Sequence, residues 1–232
     1  MSESLSTLLL AVAVFVGGHF LLSSLTVRRP LIRLVGEGGF RTGYSLFAAA
    51  ALIWSAMAYS VATAQPVWSG PAWLAWLPLL VMPPALLLVV GGLSVRSVTA
   101  VGGEAAAQTT KDPAPGMLRV TRHPMLWGIG LWALSHMAAN GDGASLIFFG
   151  GFAVLAFGGM AHIDYRRRQT LGGAWGPVAL TTSVLPFAAI AAGRTRFDRA
   201  AISPARLAVT AVLYGLLLTV HPFLFAASPL PV

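Results

Sequence analysis

Charged residues in this chain are gathered into short clusters. Between them lie uncharged, mostly apolar stretches at 4–27, 42–95, 123–141, 143–163, 169–193 and 207–232. A helix crossing a hydrocarbon core of about 30 Å needs about 20 apolar residues. The 42–95 stretch is long enough for two such helices, broken by Gln65-Pro66 and Ser69-Gly70-Pro71. The 169–193 stretch is different, because its apolar part, 177–192, is short and interrupted by Pro186. That length suits a re-entrant or interfacial element. The pattern predicts an all-α fold: a polytopic membrane helix bundle with six transmembrane helices and a re-entrant or interfacial segment near 177–192. The six spans are read at about 5–27, 43–64, 72–95, 124–140, 144–163 and 205–226, in one integral membrane domain covering 1–232.

Local signals refine these spans. Pro83-Pro84 removes two backbone donors inside the third span and is expected to kink it. Asn140-Gly141-Asp142-Gly143 reads as a tight turn joining the fourth and fifth spans as a hairpin. Gly150-Gly151 and Gly158-Gly159 in the fifth span point to close helix packing. Asp112-Pro113-Ala114-Pro115-Gly116 is the least helical part of the 96–122 loop. Met1-Ser2-Glu3-Ser4 lacks the positive charge of a signal n-region, so the first apolar segment is expected to remain as the first span.

Charge orients the bundle. With six crossings, all 15 basic residues fall in the loops after the first, third and fifth spans. The first of these loops holds Arg28, Arg29, Arg33 and Arg41, and the second Arg96, Lys111, Arg119 and Arg122. The third holds Arg166, Arg167, Arg168, Arg194, Arg196, Arg199 and Arg206. Five acidic residues (Glu37, Glu104, Asp112, Asp164, Asp198) share those loops and leave +10 there, against −2 from Glu3 and Asp142 elsewhere, in agreement with the net +8. The positive-inside bias makes the basic loops cytoplasmic and turns both termini outward, which in a bacterial inner membrane is the periplasmic side. Trp68, Trp73 and Trp76 then form an aromatic belt on the outer side.

Composition narrows the chemistry. At 56% apolar and 9% charged there is no room for a sizeable soluble domain. The cations are loop anchors for an anionic leaflet and imply membrane lipids as partners, not nucleic acid. Without cysteine the chain has no disulfide, thiolate nucleophile, iron–sulfur site or covalent c-type haem.

Five histidines remain. His123 and His162 lie near the cytoplasmic surface and read as interfacial or hydrogen-bonding residues, with Asp164 pointing away from His162. His221, just before Pro222, reads equally as a helix-end packing residue or a site residue. His19 and His136 are deep, about 13 Å and 21 Å from the nearest basic residue on their helices at 1.5 Å per residue. A buried imidazole needs a partner. Two readings are open: axial ligation of a noncovalent haem between the first and fourth spans, or interhelical hydrogen bonding. Gly128, Trp132 and His136 recur at i, i+4 and i+8, so a notch, a large ring and an imidazole share one stripe. That stripe suits either a flat ligand or ordinary small-residue packing.

The run Val120-Thr121-Arg122-His123-Pro124-Met125-Leu126-Trp127-Gly128 and the following Leu134-Ser135-His136-Met137-Ala138-Ala139-Asn140-Gly141-Asp142 resemble the signature of the NnrU family. Gly17-Gly18-His19-Phe20-Leu21-Leu22-Ser23, Leu185-Pro186-Phe187-Ala188-Ala189-Ile190 and His221-Pro222-Phe223-Leu224-Phe225 resemble it too. The resemblance implies an inner-membrane protein of a family associated with nitrite and nitric oxide reduction, which includes 15-cis-zeta-carotene isomerases holding haem b. By motif and spacing it implies His19 and His136 as axial metal ligands; beside them Gly128 and Trp132, from their stripe with His136, and His221, from its depth, are the further cofactor-binding candidates. It assigns no catalytic residue. The expected activity is cis–trans isomerisation of a hydrophobic polyene, or a role in denitrification-related metabolism.

Arg122-His123-Pro124 with Gly128, and Asp164 with Leu171-Gly172 and Trp175, are also similar to the isoprenylcysteine and phospholipid methyltransferases. The first of that family's paired acids is replaced by Ile163, which removes an acceptor that adenosylmethionine requires. A membrane methyltransferase and a non-enzymatic haem or lipid accessory protein therefore stand as alternatives.

Overall fold

The computed structural model describes residues 2–95, 97, 99, 112 and 114–230. Arg96, Glu104, Lys111 and Pro113, used above for the charge balance and the loop, lie outside the described residues. The chain is all-helical. Its helices are α1 (Glu3–Ser23), α2 (Leu25–Ser60), α3 (Leu77–Leu93), α4 (Pro124–Asn140), α5 (Gly143–Leu171), α6 (Trp175–Thr181), α7 (Ala188–Ala191) and α8 (Pro204–Phe225). Short 3₁₀ turns occupy Ala72–Trp76, Gly116–Arg119, Gly172–Ala174 and Arg199–Ile202.

Each predicted span overlaps a helix. Among the described residues four segments, not six, are long and apolar enough to cross a membrane: Glu3–Ser23, Ala72–Leu93, Gly143–Thr181 and Arg199–Phe225. The fourth predicted span, α4, has 17 residues, about 25 Å at 1.5 Å per residue. The stretch 177–192 divides between α6, of seven residues, and α7, of four. Neither could cross a bilayer alone. α3 carries Pro83 and Pro84 inside one continuous helix.

One prediction needs correction. The first basic loop is helical, not irregular. α2 begins at Leu25, and Gly36 (φ 75°, ψ 165°) interrupts it. Leu31, Ile32, Leu34 and Val35 among Arg28, Arg29 and Arg33 make the leading segment amphipathic. Its arginines and leucines are strong helix formers, so the charge cluster does not break the helix. The break falls at Gly36, a conformation that an L side chain rarely adopts.

The chain forms two compact units, residues 1–78 with 133–162, and residues 79–132 with 163–232. In the first, α1 buries Leu5, Leu8, Val12 and Phe15 on one stripe. The glycine pairs of α5 serve contact there. A Cβ at Gly151 would overlap Val12, and one at Gly158 would reach Phe20 at 3.0 Å. The Asn140–Gly143 turn closes as expected, with Gly141 at φ 66°. Asp142 caps α5 by accepting from Ser145 N at 2.9 Å and Ser145 Oγ at 2.6 Å. Gln65 and Val67 bond this turn through Gly143 N–Gln65 O and Val67 N–Gly141 O.

In the second unit α3 and α4 meet closely. A Cβ on Gly128 would stand 2.5 Å from the Ala85 carbonyl oxygen. Met117, Val120 and Ala201 form a buried cluster with Leu87 and Leu88 against it. Asp198 pins two segments, accepting from Gly116 N at 2.8 Å and Ala200 N at 2.9 Å.

Candidate functional site

His19 projects from α1 with Nδ1 2.6 Å from the Phe15 carbonyl oxygen. A carbonyl only accepts, so Nδ1 carries the proton. In the neutral ring this leaves the Nε2 lone pair for a ligand, and ligating histidines are commonly oriented in this way. Phe15 and Tyr44 meet the imidazole edge to face, with centroids at 4.5 and 5.5 Å. His136 of α4 lies against Phe149 at 5.3 Å, with Ser135 Oγ 3.4 Å from its Nδ1. Both histidines belong to the first unit. A continuous file of rings joins them: Phe15 to Phe152 at 5.2 Å, Phe152 to Phe148 at 5.1 Å, and Phe148 to Phe149 at 5.3 Å. Tyr59 stacks on Phe148 at 4.6 Å and bonds Ser145 Oγ at 2.9 Å. The two imidazoles, one with its tautomer set by the backbone, thus stand at the two ends of a file of packed aromatic rings.

The remaining candidates are placed differently. Gly128 is a helix contact, since α3 fills its notch. Trp132 belongs to the second unit and is half-buried. His221 bonds Ala227 O at 2.9 Å through Nδ1 and closes the C-terminal end of α8 beside Phe225. This is the helix-end role. His162 bonds Ser23 Oγ through Nε2 at 3.0 Å. Ser23 Oγ itself donates to the His19 carbonyl at 2.5 Å, so the His162 Nε2–H is the donor to Ser23.

A second polar cluster gathers in the other unit. Asp164 accepts from His123 Nε2 at 2.8 Å on one oxygen, and from Arg122 at 2.8 and 2.6 Å on the other. His123 is buried, with its side chain 1% exposed. The same stretch binds the loop before α7. Thr121 Oγ1 and Trp127 Nε1 both donate to the Val184 carbonyl, at 2.7 and 2.8 Å, and Arg122 N donates to Ser183 O at 3.0 Å. The Arg122 guanidinium also lies over Trp175 at 5.9 Å. The sequence read His123 as an interfacial or hydrogen-bonding residue, and the structure buries it in a hydrogen bond with Asp164, which also ties in Arg122. The signal was an arginine beside a histidine at the start of α4, polar groups that so near hydrocarbon need a shared partner. With both carboxylate oxygens engaged, Asp164 offers little acceptor capacity for the amino group of adenosylmethionine.

Comparison with known proteins gives the context. The chain is 32% identical over 84 residues to the chloroplastic 15-cis-zeta-carotene isomerase of Zea mays, a match covering 36% of this chain and 23% of the maize protein. No solved structure matches it. The NnrU protein family matches over residues 7–229, nearly the entire chain including both deep histidines, and the chain belongs to that family.

Proposed function

We propose that this protein is a six-span inner-membrane protein that holds haem b through His19 and His136 and isomerises a double bond in a hydrophobic polyene. The observation that carries this reading is the His19 imidazole, its Nδ1–H committed to the Phe15 carbonyl at 2.6 Å and its ring walled by Phe15 and Tyr44. The similarity to a zeta-carotene isomerase supports it. Bound haem would supply an iron centre able to exchange electron density with a conjugated double bond, lowering its bond order. The chain's own part is orientation and exclusion. Phe15 fixes the His19 tautomer, His136 offers the second nitrogen, and the Phe148, Phe149 and Phe152 rings keep water away and give an apolar polyene a matching surface. Methyl transfer is the weaker reading, because Asp164 is committed to Arg122 and His123.

Visible spectra of the purified protein, oxidised and reduced, test the proposal. A Soret band with sharp reduced bands is expected. His19→Ala and His136→Ala should deplete it severely, and His162→Ala should leave it nearly intact. A colourless, fully helical protein overturns the haem assignment. A haem-loaded protein that leaves a 15-cis polyene unchanged moves the role to denitrification-related metabolism or to a haem accessory protein.

A further inference from the structure

Below the Gly36 break, one face of α2 carries a shallow, open surface groove lined by Gly38, Arg41, Thr42, Ser45, Leu46 and Ala49 of that helix alone. These positions follow a helical stripe, so polar groups occupy one end and apolar groups the other. A Cβ on Gly38 would touch nothing, which leaves the polar end open. Further along the same helix, Ser55 and Ser60 spend their hydroxyls on α2 carbonyls, at 2.8 Å each. No such bond is described for Thr42 or Ser45. The neighbouring acid is already neutralised: Glu37 pairs with Arg28 at 2.7 Å, and Arg28 also lies over Phe40. Arg29, Arg33 and Arg41 are exposed, and no ion pair is described for them. Leu34 and Val35, 79% and 52% exposed beside these cations, make the leading segment of α2 a surface for a headgroup layer.

We propose that this groove binds one anionic phospholipid, its phosphate on Arg41, Thr42 and Ser45 and an acyl chain along Leu46 and Ala49. Arg41 and Ala49 lie about 12 Å apart on the helix axis, which suits a phosphate at the interface and the upper part of a chain in hydrocarbon. A guanidinium flanked by two hydroxyls offers the charge-assisted donors that a phosphate diester accepts. The proposal rests on α2 entering the bilayer from the cytoplasmic side, as in the six-span reading, and is independent of haem.

Native mass spectrometry of the full chain in detergent, given equal amounts of dioleoyl phosphatidylglycerol and dioleoyl phosphatidylcholine, tests it. Phosphatidylglycerol should be retained preferentially. Arg41→Gln should lower that retention about fivefold, the order expected for one basic residue at an anionic surface. Arg41→Lys should keep most of it, and the pair Thr42→Val with Ser45→Ala should lower it further without altering charge. That pair carries the test if Arg41→Gln fails to fold. Equal retention of the two lipids, wild-type retention by Arg41→Gln, or displacement by excess inorganic phosphate overturns the proposal. A colourless protein that still shows the expected lipid pattern supports it, which separates this result from the fate of the haem reading.

Discussion

Asp164 shows how much one buried side chain can hold. Its carboxylate, 14% exposed, links His123 and Arg122 at the start of α4 to α5. Removing one partner of a buried pair leaves the others desolvated without compensation and typically costs about 3–5 kcal/mol. Asp164→Ala should therefore lower the thermal midpoint in detergent by many degrees. Glu37→Gln, which breaks a pair whose acid is 49% exposed, should shift it little. Comparable midpoints for the two variants would show that the Asp164 cluster is not structural. That cluster was only partly legible in the sequence. Arg122 and His123 stood out as a motif, but Asp164 follows them by 42 positions, and nothing in local spacing reports which way a distant carboxylate turns. His19 was legible because a polar ring deep in an apolar run has few affordable fates. The Phe15 carbonyl one turn below it was not, because a tautomer is set by local backbone geometry.

At the scale of elements, apolar run length located the long apolar helices, and the glycine pairs of α5 correctly announced contact. The arginine-rich lead of α2 was missed because charge clusters in membrane proteins look like loops by hydropathy, although arginine and leucine are good helix formers. Gly128 was read as a notch for either a flat ligand or helix packing, and in the structure a Cβ there would meet the Ala85 carbonyl of α3. Two glycines separate these uses of the residue. Gly128→Val should be destabilising by about 1–3 kcal/mol or more, since overpacking meets a rigid backbone carbonyl at 2.5 Å. Gly17→Ala, whose new methyl meets nothing within 4 Å, should be neutral or slightly stabilising. Thermal unfolding of both variants checks the contrast, and an equal loss in the two would contradict the α3–α4 contact. Asp198 gives a pH dependence at the same scale. The backbone N–H groups of Ala200 and Gly116 hold its carboxyl below the usual aspartate range, with Arg119 and Arg206 helping. A depressed pKa contributes stability that is present above the unfolded value and lost as pH falls through the folded one. Asp198→Asn should therefore flatten the acid limb of the stability profile, and an unchanged limb would remove Asp198 as its source.

For the molecule as a whole, charge bears on what helix length leaves open. Among the described residues four helices are long and apolar enough to cross by length and composition, and in the proposed six-span reading α2 and α4 would supply the other two crossings. Both have supporting features. α2 keeps its arginines on the Ser24 side, with no basic residue after Arg41. α4 is capped by the Arg122–His123–Asp164 cluster at one end and by the Asn140–Gly143 turn at the other. Counting both places the basic loops on one face and the termini on the opposite one. Losing either crossing would carry part of the basic set across the membrane, against the positive-inside bias. The expected outcome is an active alkaline phosphatase and a dark fluorescent protein when each is fused after residue 232. A second fusion at the polar stretch near residue 170 should give the reverse pattern. A bright C-terminal fluorescent fusion would place an odd number of crossings between the termini, or invert the whole bundle. The residue-170 fusion separates these, because inversion switches both reporters whereas a miscounted helix beyond it switches only the last.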